Sequence, residues 1–209
     1  MKFIALMSNG IDSPVATYLL SRKEEDIVLM YADNRLFTDK RGVEKFLCLA
    51  RQLSRHITGR TKIFLIPHGE ILSVIKQKCN KKMICVLCKR MMLRYAEKIA
   101  EKEKADALIM GDSLGQVASQ TLQNIRVVEQ ATSLPVLRPL IGLDKEDIIR
   151  IAKKIGTYNI SILPSQECTA VPKKPATKAK LEDVLYEEKK INVEKHVEEI
   201  VKKAKTMYL

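Results

Sequence analysis

A chain of 209 residues with 46% hydrophobic and 30% charged residues has room for one compact core with a small extension. Its net charge of +12 points to a polyanionic partner, nucleic acid first, against the plainer reading of a lysine-rich solubility surface. No run is long enough to span a membrane, and the apolar stretch at 3–7 is too short for a signal-peptide core. A cytoplasmic protein with no membrane partner is therefore expected. In that compartment the five cysteines read as core, catalytic or metal-ligating thiols and not as disulfides.

Strand and helix patterns alternate along the chain. Residues 2–7 read as a short buried strand. Ser13 is placed as a helix cap with Pro14 at the first helical position and the helix running on through 15–20. A second strand is expected over 26–32. Val43, Phe46, Leu47, Ala50, Leu53 and Ile57 then recur at helical spacing. Further strands are expected at 62–66, 107–110 and 136–137, with helices over 70–78, 91–103 and 145–155. This alternation implies an α/β fold, a parallel sheet with helices on both faces. The ligand then sits beyond the carboxyl ends of the strands, so the loops at 8–13, 33–39 and 111–120 matter most. Composition shifts at Pro172, which divides a domain over 1–172 from a charged extension over 173–209. The stretch 181–205 reads as a helical, solvated tail packed on the same domain.

Three segments carry chemistry. Ser8, Asn9, Gly10, Ile11, Asp12 and Ser13 join the first strand to the first helix. A helix N-terminus there offers free N–H groups and the positive end of a dipole. Gly10 allows an anion close to the backbone, and the two serines add hydroxyls. Asp12 would hold a divalent cation or fix the loop. An ordinary strand-to-helix turn is the plainer alternative. Next, Cys85-Val86-Leu87-Cys88 precedes Lys89 and Arg90. Two thiols three residues apart grip one metal ion or a cluster edge, or form a redox pair, and the adjacent basic pair is expected to lower their pKa. No second C-x-x-C completes a zinc site; Cys79 and Cys168 remain as further ligands. Cys48 is expected in the core. Last, the segment from Gly111 and Asp112 through Gln116 to Thr121 is a polar loop after a strand.

The first segment resembles the SGGxDS signature of the PP-loop ATP pyrophosphatases, also described as adenine nucleotide alpha hydrolase-like, and continues as in the ThiI branch. Asn9 stands where the family carries glycine; asparagine tolerates positive φ. The text DSLGQVASQT at 112–121, PVLRPLIGLDK at 135–145, KIGTY at 154–158 and PATKAKLE at 175–182 extends the resemblance almost to the chain's end.

What the resemblance implies is an ATP-dependent tRNA sulfurtransferase that makes 4-thiouridine. ATP activates a uridine oxygen, pyrophosphate leaves, and sulfur displaces AMP. Ser8, Asn9, Gly10, Asp12 and Ser13 would then hold the pyrophosphate end of ATP with Mg²⁺. Asp33 would lie near the adenosine, and Asp112 and Gln116 would contact nucleotide or substrate. Lys89, Arg90 and Arg138 suit the neutralisation of phosphate. Asp12, Lys89 and Cys168 are the expected catalytic residues, Cys168 as the sulfur-handling cysteine. Family members with this cysteine trio imply an iron–sulfur cluster, [4Fe–4S] or [3Fe–4S], on Cys85, Cys88 and Cys168. The family's THUMP and rhodanese regions are not expected in this chain. A separate THUMP protein would then deliver tRNA, and sulfide or a persulfide carrier would be the sulfur donor. A homodimer is a further family trait. Lys173, Lys174, Lys178 and Lys180 offer another contact to the phosphate backbone. Two alternatives stay open: an enzyme with a small sulfur acceptor, and a non-catalytic nucleotide- or cluster-binding subunit.

Overall fold

The computed structural model describes residues 1–21, 26–115 and 120–209. Strand β1 (Lys2–Met7) leads into helix α1 (Asp12–Ser21). Strand β2 (Asp26–Ala32) is followed by α2 (Arg41–Ser54), and β3 (Lys62–Ile66) by α3 (Gly69–Lys78). A 3-10 turn (Lys81–Met83) opens the long helix α4 (Ile84–Glu103). Then come β4 (Ala107–Ile109), α5 (Leu122–Glu129), β5 (Val136–Leu137), α6 (Lys145–Lys154) and the short α7 (Tyr158–Ser161). The chain closes with α8 (Leu181–Glu188), α9 (Val193–Lys202) and β6 (Lys205–Tyr208).

Among the described residues the strand order is β5-β4-β1-β2-β3-β6. All pairings are parallel except β3 with β6. Successive side chains of a strand point to opposite faces, and both faces are covered. Ile4, Leu6, Val28, Met30, Phe64 and Leu108 face one core, shared with α3, α4, α5, α8 and α9. Phe3, Ala5, Leu29, Ile63 and Ile109 face the other, shared with α1, α2 and α6. Parallel strands buried on both faces read as continuous apolar runs, as β1 and β2 do. Because β4 pairs with β1 while β2 lies on the other side of β1, the chain reverses direction across the sheet between β1 and β4. That is where an open α/β sheet forms its crevice.

Three expectations are corrected. Helix α4 begins at Ile84, not at 91. Its buried face includes Ile84, Leu87, Arg90 and Met91, so a charged residue sits in the apolar stripe and interrupts the pattern. Cys48 is exposed. The buried stripe of α2 is Phe46, Leu49, Ala50 and Leu53, and Cys48 lies off it. The tail packs one face on the domain and leaves the other exposed, as expected, but it is not one helix over 181–205. Val184, Val197, Ile200 and Val201 are buried, each contributing about 1.5–3 kcal/mol relative to exposure. Asn192 caps α9 by accepting from the Lys195 N–H, which splits the tail into two helices, and β6 adds an antiparallel strand at the edge of the sheet.

Glu188 of α8 fastens the tail to the core. It accepts from Arg90 Nε at 2.8 Å and from Arg94 Nη1 at 2.7 Å, with Arg90 1% and Glu188 7% exposed. Burial pushes the carboxyl up, but Arg90 and Arg94 outweigh it and hold it below the usual glutamate range. Glu188→Ala leaves Arg90 buried without its partner and is expected to cost about 3–5 kcal/mol in denaturant unfolding. The native carboxylate's pKa is depressed, so its contribution is present at neutral pH and lost as pH falls through that value. Glu188→Gln should accordingly flatten the acid limb of the stability profile.

Candidate active site

The loop after β1 closes on itself through hydroxyls. Ser8 N–H donates to Ser13 Oγ at 2.8 Å, the two hydroxyls lie 3.0 Å apart, and Gly10 N–H donates to Ser8 Oγ at 3.3 Å. Ser13 is not the helix cap: α1 starts at Asp12, and the Ser13 hydroxyl is turned back to Ser8. Asn9 is accommodated differently from the expectation, since neither Asn9 nor Gly10 has positive φ. The Asn9 side chain turns aside and donates Nδ2–H to the Tyr31 hydroxyl at 3.0 Å. Burial pushes that phenol up to about 12, so it stays a neutral partner. Asp12 accepts from Lys145 Nζ at 2.5 Å, which ties the start of α1 to the start of α6.

The loop after β4 lies directly against this one. A Cβ on Gly111 would stand 2.7 Å from both N and Cα of Ser13, closer than side chains approach, so glycine is required there. Next in sequence, Asp112 is 4% exposed and takes Lys89 Nζ at 2.8 Å and Arg138 Nε at 3.2 Å. Burial raises its carboxyl, but Lys89 and then Arg138 prevail and keep it below the usual aspartate range. Arg138 also reaches Glu129 at 2.8 Å, while its Nη2 is buried without a partner among the described residues. Two cations thus converge beside the phosphate loop with donor capacity to spare. Gln116 lies outside the described residues. Asp33 is at the end of β2 and is engaged by its own loop, accepting from Arg35 N–H at 3.0 Å and Arg35 Nε at 2.6 Å.

Arg90, expected to neutralise phosphate, is committed to Glu188 and the Val127 carbonyl. It points into the core, away from the crevice.

The cysteines form a third feature. Cys85 and Cys88 lie one turn apart at the start of α4, and Cys168 packs against the same apolar cluster. The Cys168 loop is fixed by a Thr169 N–H bond to the Phe37 carbonyl at 2.9 Å. The thiols are not lowered by the basic pair. Burial pushes Cys85 up, and it pushes Cys88 up to about 12, each further raised by neighbouring cysteines and only weakly opposed by Lys89. Desolvation wins because the sulfurs sit inside, whereas Lys89 is held by Asp112 and Arg90 faces away. Among the described residues no group of three or more His, Cys, Asp or Glu is drawn together tightly enough to hold a single metal ion. Cys79 is apart from this group; its thiol donates to the Glu187 carbonyl at 3.5 Å.

His68 escaped the sequence reading. It is fully buried, its Nε2 is 3.2 Å from Cys88 Sγ, and its ring meets Tyr95 edge-on at 5.7 Å. Burial lowers its pKa to about 4, so the imidazole is neutral. The available signal was its place: it follows β3 at the carboxyl end of the sheet, a loop position as informative as the three that were singled out.

Burial orders thiol reactivity. Alkylation of the reduced protein at about pH 8, followed by peptide mass mapping, is expected to modify Cys48 first and Cys88 and Cys79 last. Fast labelling of Cys88 would contradict the buried placement.

Comparison with known proteins fits this geometry. The family described as thiamine biosynthesis protein (ThiI) matches residues 1–193. A probable tRNA sulfurtransferase of Methanothermobacter thermautotrophicus is 44% identical over 203 residues, which are 97% of this chain and 52% of the relative. One from Finegoldia magna is 42% identical over 200 residues, 95% of this chain and 51% of the relative. The chain thus spans about half the length of these curated relatives. A 4-thiouridine synthetase solved as an RNA complex with bound ATP superposes with a TM-score of 0.95 at 34% identity, covering 100% of this chain and 55% of that one. With a family match over residues 1–193 and relatives at 42–44% identity along nearly its whole length, this chain belongs to the ThiI family.

Proposed function

We propose that this chain is the ATP-using, sulfur-transferring domain of a tRNA 4-thiouridine synthetase. One observation carries the reading. The phosphate loop, the Asp112–Lys89–Arg138 cluster and the cysteine-bearing start of α4 adjoin one another beyond the carboxyl ends of β1 and β4. The chain they belong to matches an ATP-bound relative over its whole length.

In this reading Ser8, Asn9, Gly10 and Ser13 form the cradle for the pyrophosphate end of ATP at the N-terminus of α1. Asp12 is the carboxylate suited to the Mg²⁺ that ATP carries. The uridine oxygen attacks the α-phosphate and pyrophosphate leaves. Lys89 and Arg138, held close by Asp112, stabilise the charge that develops there. Sulfur then attacks the activated carbon, and AMP departs with the original oxygen. Asp33 acts through Arg35, shaping the loop after β2 where the adenosine would lie.

Thiolates are the ligands that iron–sulfur clusters take, and Cys85, Cys88 and Cys168 lie within electrostatic range of one another. As placed, no three potential ligands among the described residues are gathered to hold a metal ion, so the cluster rests on the chemistry of these thiols alone. Cys85, Cys88 and Cys168 are the residues that would hold it, and when bound it would supply sulfide to the activated uridine. His68 would keep the Cys88 sulfur oriented from behind. Sulfide or a persulfide carrier would serve as donor, in the cytoplasm, with tRNA brought by this chain or by a separate THUMP protein; a homodimer is compatible with either. No helix among the described residues is long and apolar enough to cross a membrane.

The test is anaerobic incubation of the reconstituted protein with ATP, Mg²⁺, sulfide and unmodified tRNA, with mass spectrometry of the nucleosides. 4-Thiouridine and tRNA-dependent pyrophosphate release are expected. Cys168→Ala should abolish the thiolated product, and Lys89→Ala should lower the rate by about 10²–10³. Pyrophosphate release that ignores tRNA would overturn the choice of substrate. The absence of cluster absorbance after reconstitution would overturn the role given to the three cysteines together.

A further inference from the structure

Next in sequence to the cysteine-bearing segments, Ile84 and Thr169 line a groove of about 500 Å³. It is edged by Lys76, Lys81, Lys82, Lys173 and Lys174, and its floor is apolar, formed by buried residues such as Ile84 and Ala170. Two walls are fixed. Ala176 N–H donates to the Lys82 carbonyl at 2.9 Å, pinning the 173–176 strap to the 3-10 turn. Thr169 N–H donates to Phe37 O, and the Phe37 ring in turn carries Lys76 Nζ 5.0 Å from its centroid.

The charge on this rim is uncompensated. None of the five lysines has a carboxylate partner among the described residues, whereas Lys2, Lys62, Lys145, Lys190 and Lys203 are each paired. Like charges gathered within about one Debye length raise the local potential and attract an anion. Of the four tail lysines suggested by the sequence, only Lys173 and Lys174 line the groove; Lys180 lies 3.7 Å from Glu182. The groove also sits beside the chemistry, since Thr169 follows Cys168 and Ile84 precedes Cys85 in the chain.

We propose that this lysine-rimmed groove is the track for the RNA phosphate backbone next to the uridine that is modified. The inference rests on the reading of the chain as a tRNA-acting enzyme and adds to it where the RNA lies. A small inorganic anion leaves the apolar part of the groove, Ile84 and Ala170 among it, unused. A nucleic-acid strand presents a row of phosphates to the rim and ribose faces to the floor. Lysines held as point charges around the groove position a backbone without reading sequence.

The experiment measures tRNA affinity of the full chain by fluorescence anisotropy between about 0.05 and about 0.3 M salt. It compares the wild type with two fourfold variants, Lys81/Lys82/Lys173/Lys174→Gln and Lys102/Lys189/Lys195/Lys202→Gln. The second removes the same charge from exposed positions elsewhere. Thermal unfolding of all three proteins confirms that they fold. The groove variant is expected to bind at least about tenfold more weakly, with a salt slope shallower by about 3; the control set should change far less. Equal effects of the two sets would reduce the groove to net charge and overturn the proposal. So would a groove variant that keeps tRNA affinity but loses binding to a polyglutamate peptide, which would assign the groove to an acidic protein. A wild type with no tRNA affinity would overturn the tRNA reading and the groove together, whereas groove-dependent tRNA binding by a protein that forms no 4-thiouridine would overturn the sulfurtransferase reading and leave the groove as an RNA site.

Discussion

The end of β4 runs so close to the start of α1 that nothing larger than hydrogen fits on residue 111. An added Cβ would press on the backbone of Ser13 at 2.7 Å. Parallel pairing of β4 with β1, Phe3 opposite Ala107 through Ala5 opposite Ile109, sets that approach. It places the loop that bears Asp112 against the loop that bears Ser8 and Ser13. Asp112 can then draw Lys89 from α4 and Arg138 from the end of β5 to one spot. Three chain segments far apart in sequence meet there because the sheet changes direction between β1 and β4.

Two opposite electrostatic regimes lie side by side. At Asp112 the paired cations overcome burial, so the carboxylate stays charged and both cations stay in place. At Cys88 burial overcomes the nearby cation, so the thiol stays protonated, with a neutral His68 behind it. The difference follows from partners. Lys89 bonds to Asp112 directly, whereas it touches the cysteines only through space. A thiol in this pocket gains its charge when something takes its proton's place, and a metal does so through the sulfur itself.

Much of this was legible in the sequence. The apolar runs at β1, β2 and β3 read correctly because strands buried on both faces need no alternation. The loop after β1, the C-x-x-C pair and the loop after β4 stand out in the sequence because each sits at or near an element boundary with distinctive residues. What failed did so for physical reasons. Arg90 hid the first turns of α4, since its burial depends on Glu188 from a distant helix. The strand Lys205–Tyr208 is mostly polar and exposed, so only its pairing with β3 reveals it. Asn9 fits through Tyr31 and the space over Gly42, where a Cβ would lie 3.2 Å from the Asn9 amide. No local rule contains that contact.

The central claim is that nucleotide binds where the β1 and β4 loops touch. Calorimetric titration of ATP into the wild type and into Gly111→Ala and Cys168→Ala tests it most directly. A methyl group at 111 must push the two loops apart, at about 1–3 kcal/mol, so Gly111→Ala should lose roughly tenfold or more in ATP affinity while Cys168→Ala binds as the wild type does. Unchanged affinity in a folded Gly111→Ala protein would place the nucleotide elsewhere and contradict the account.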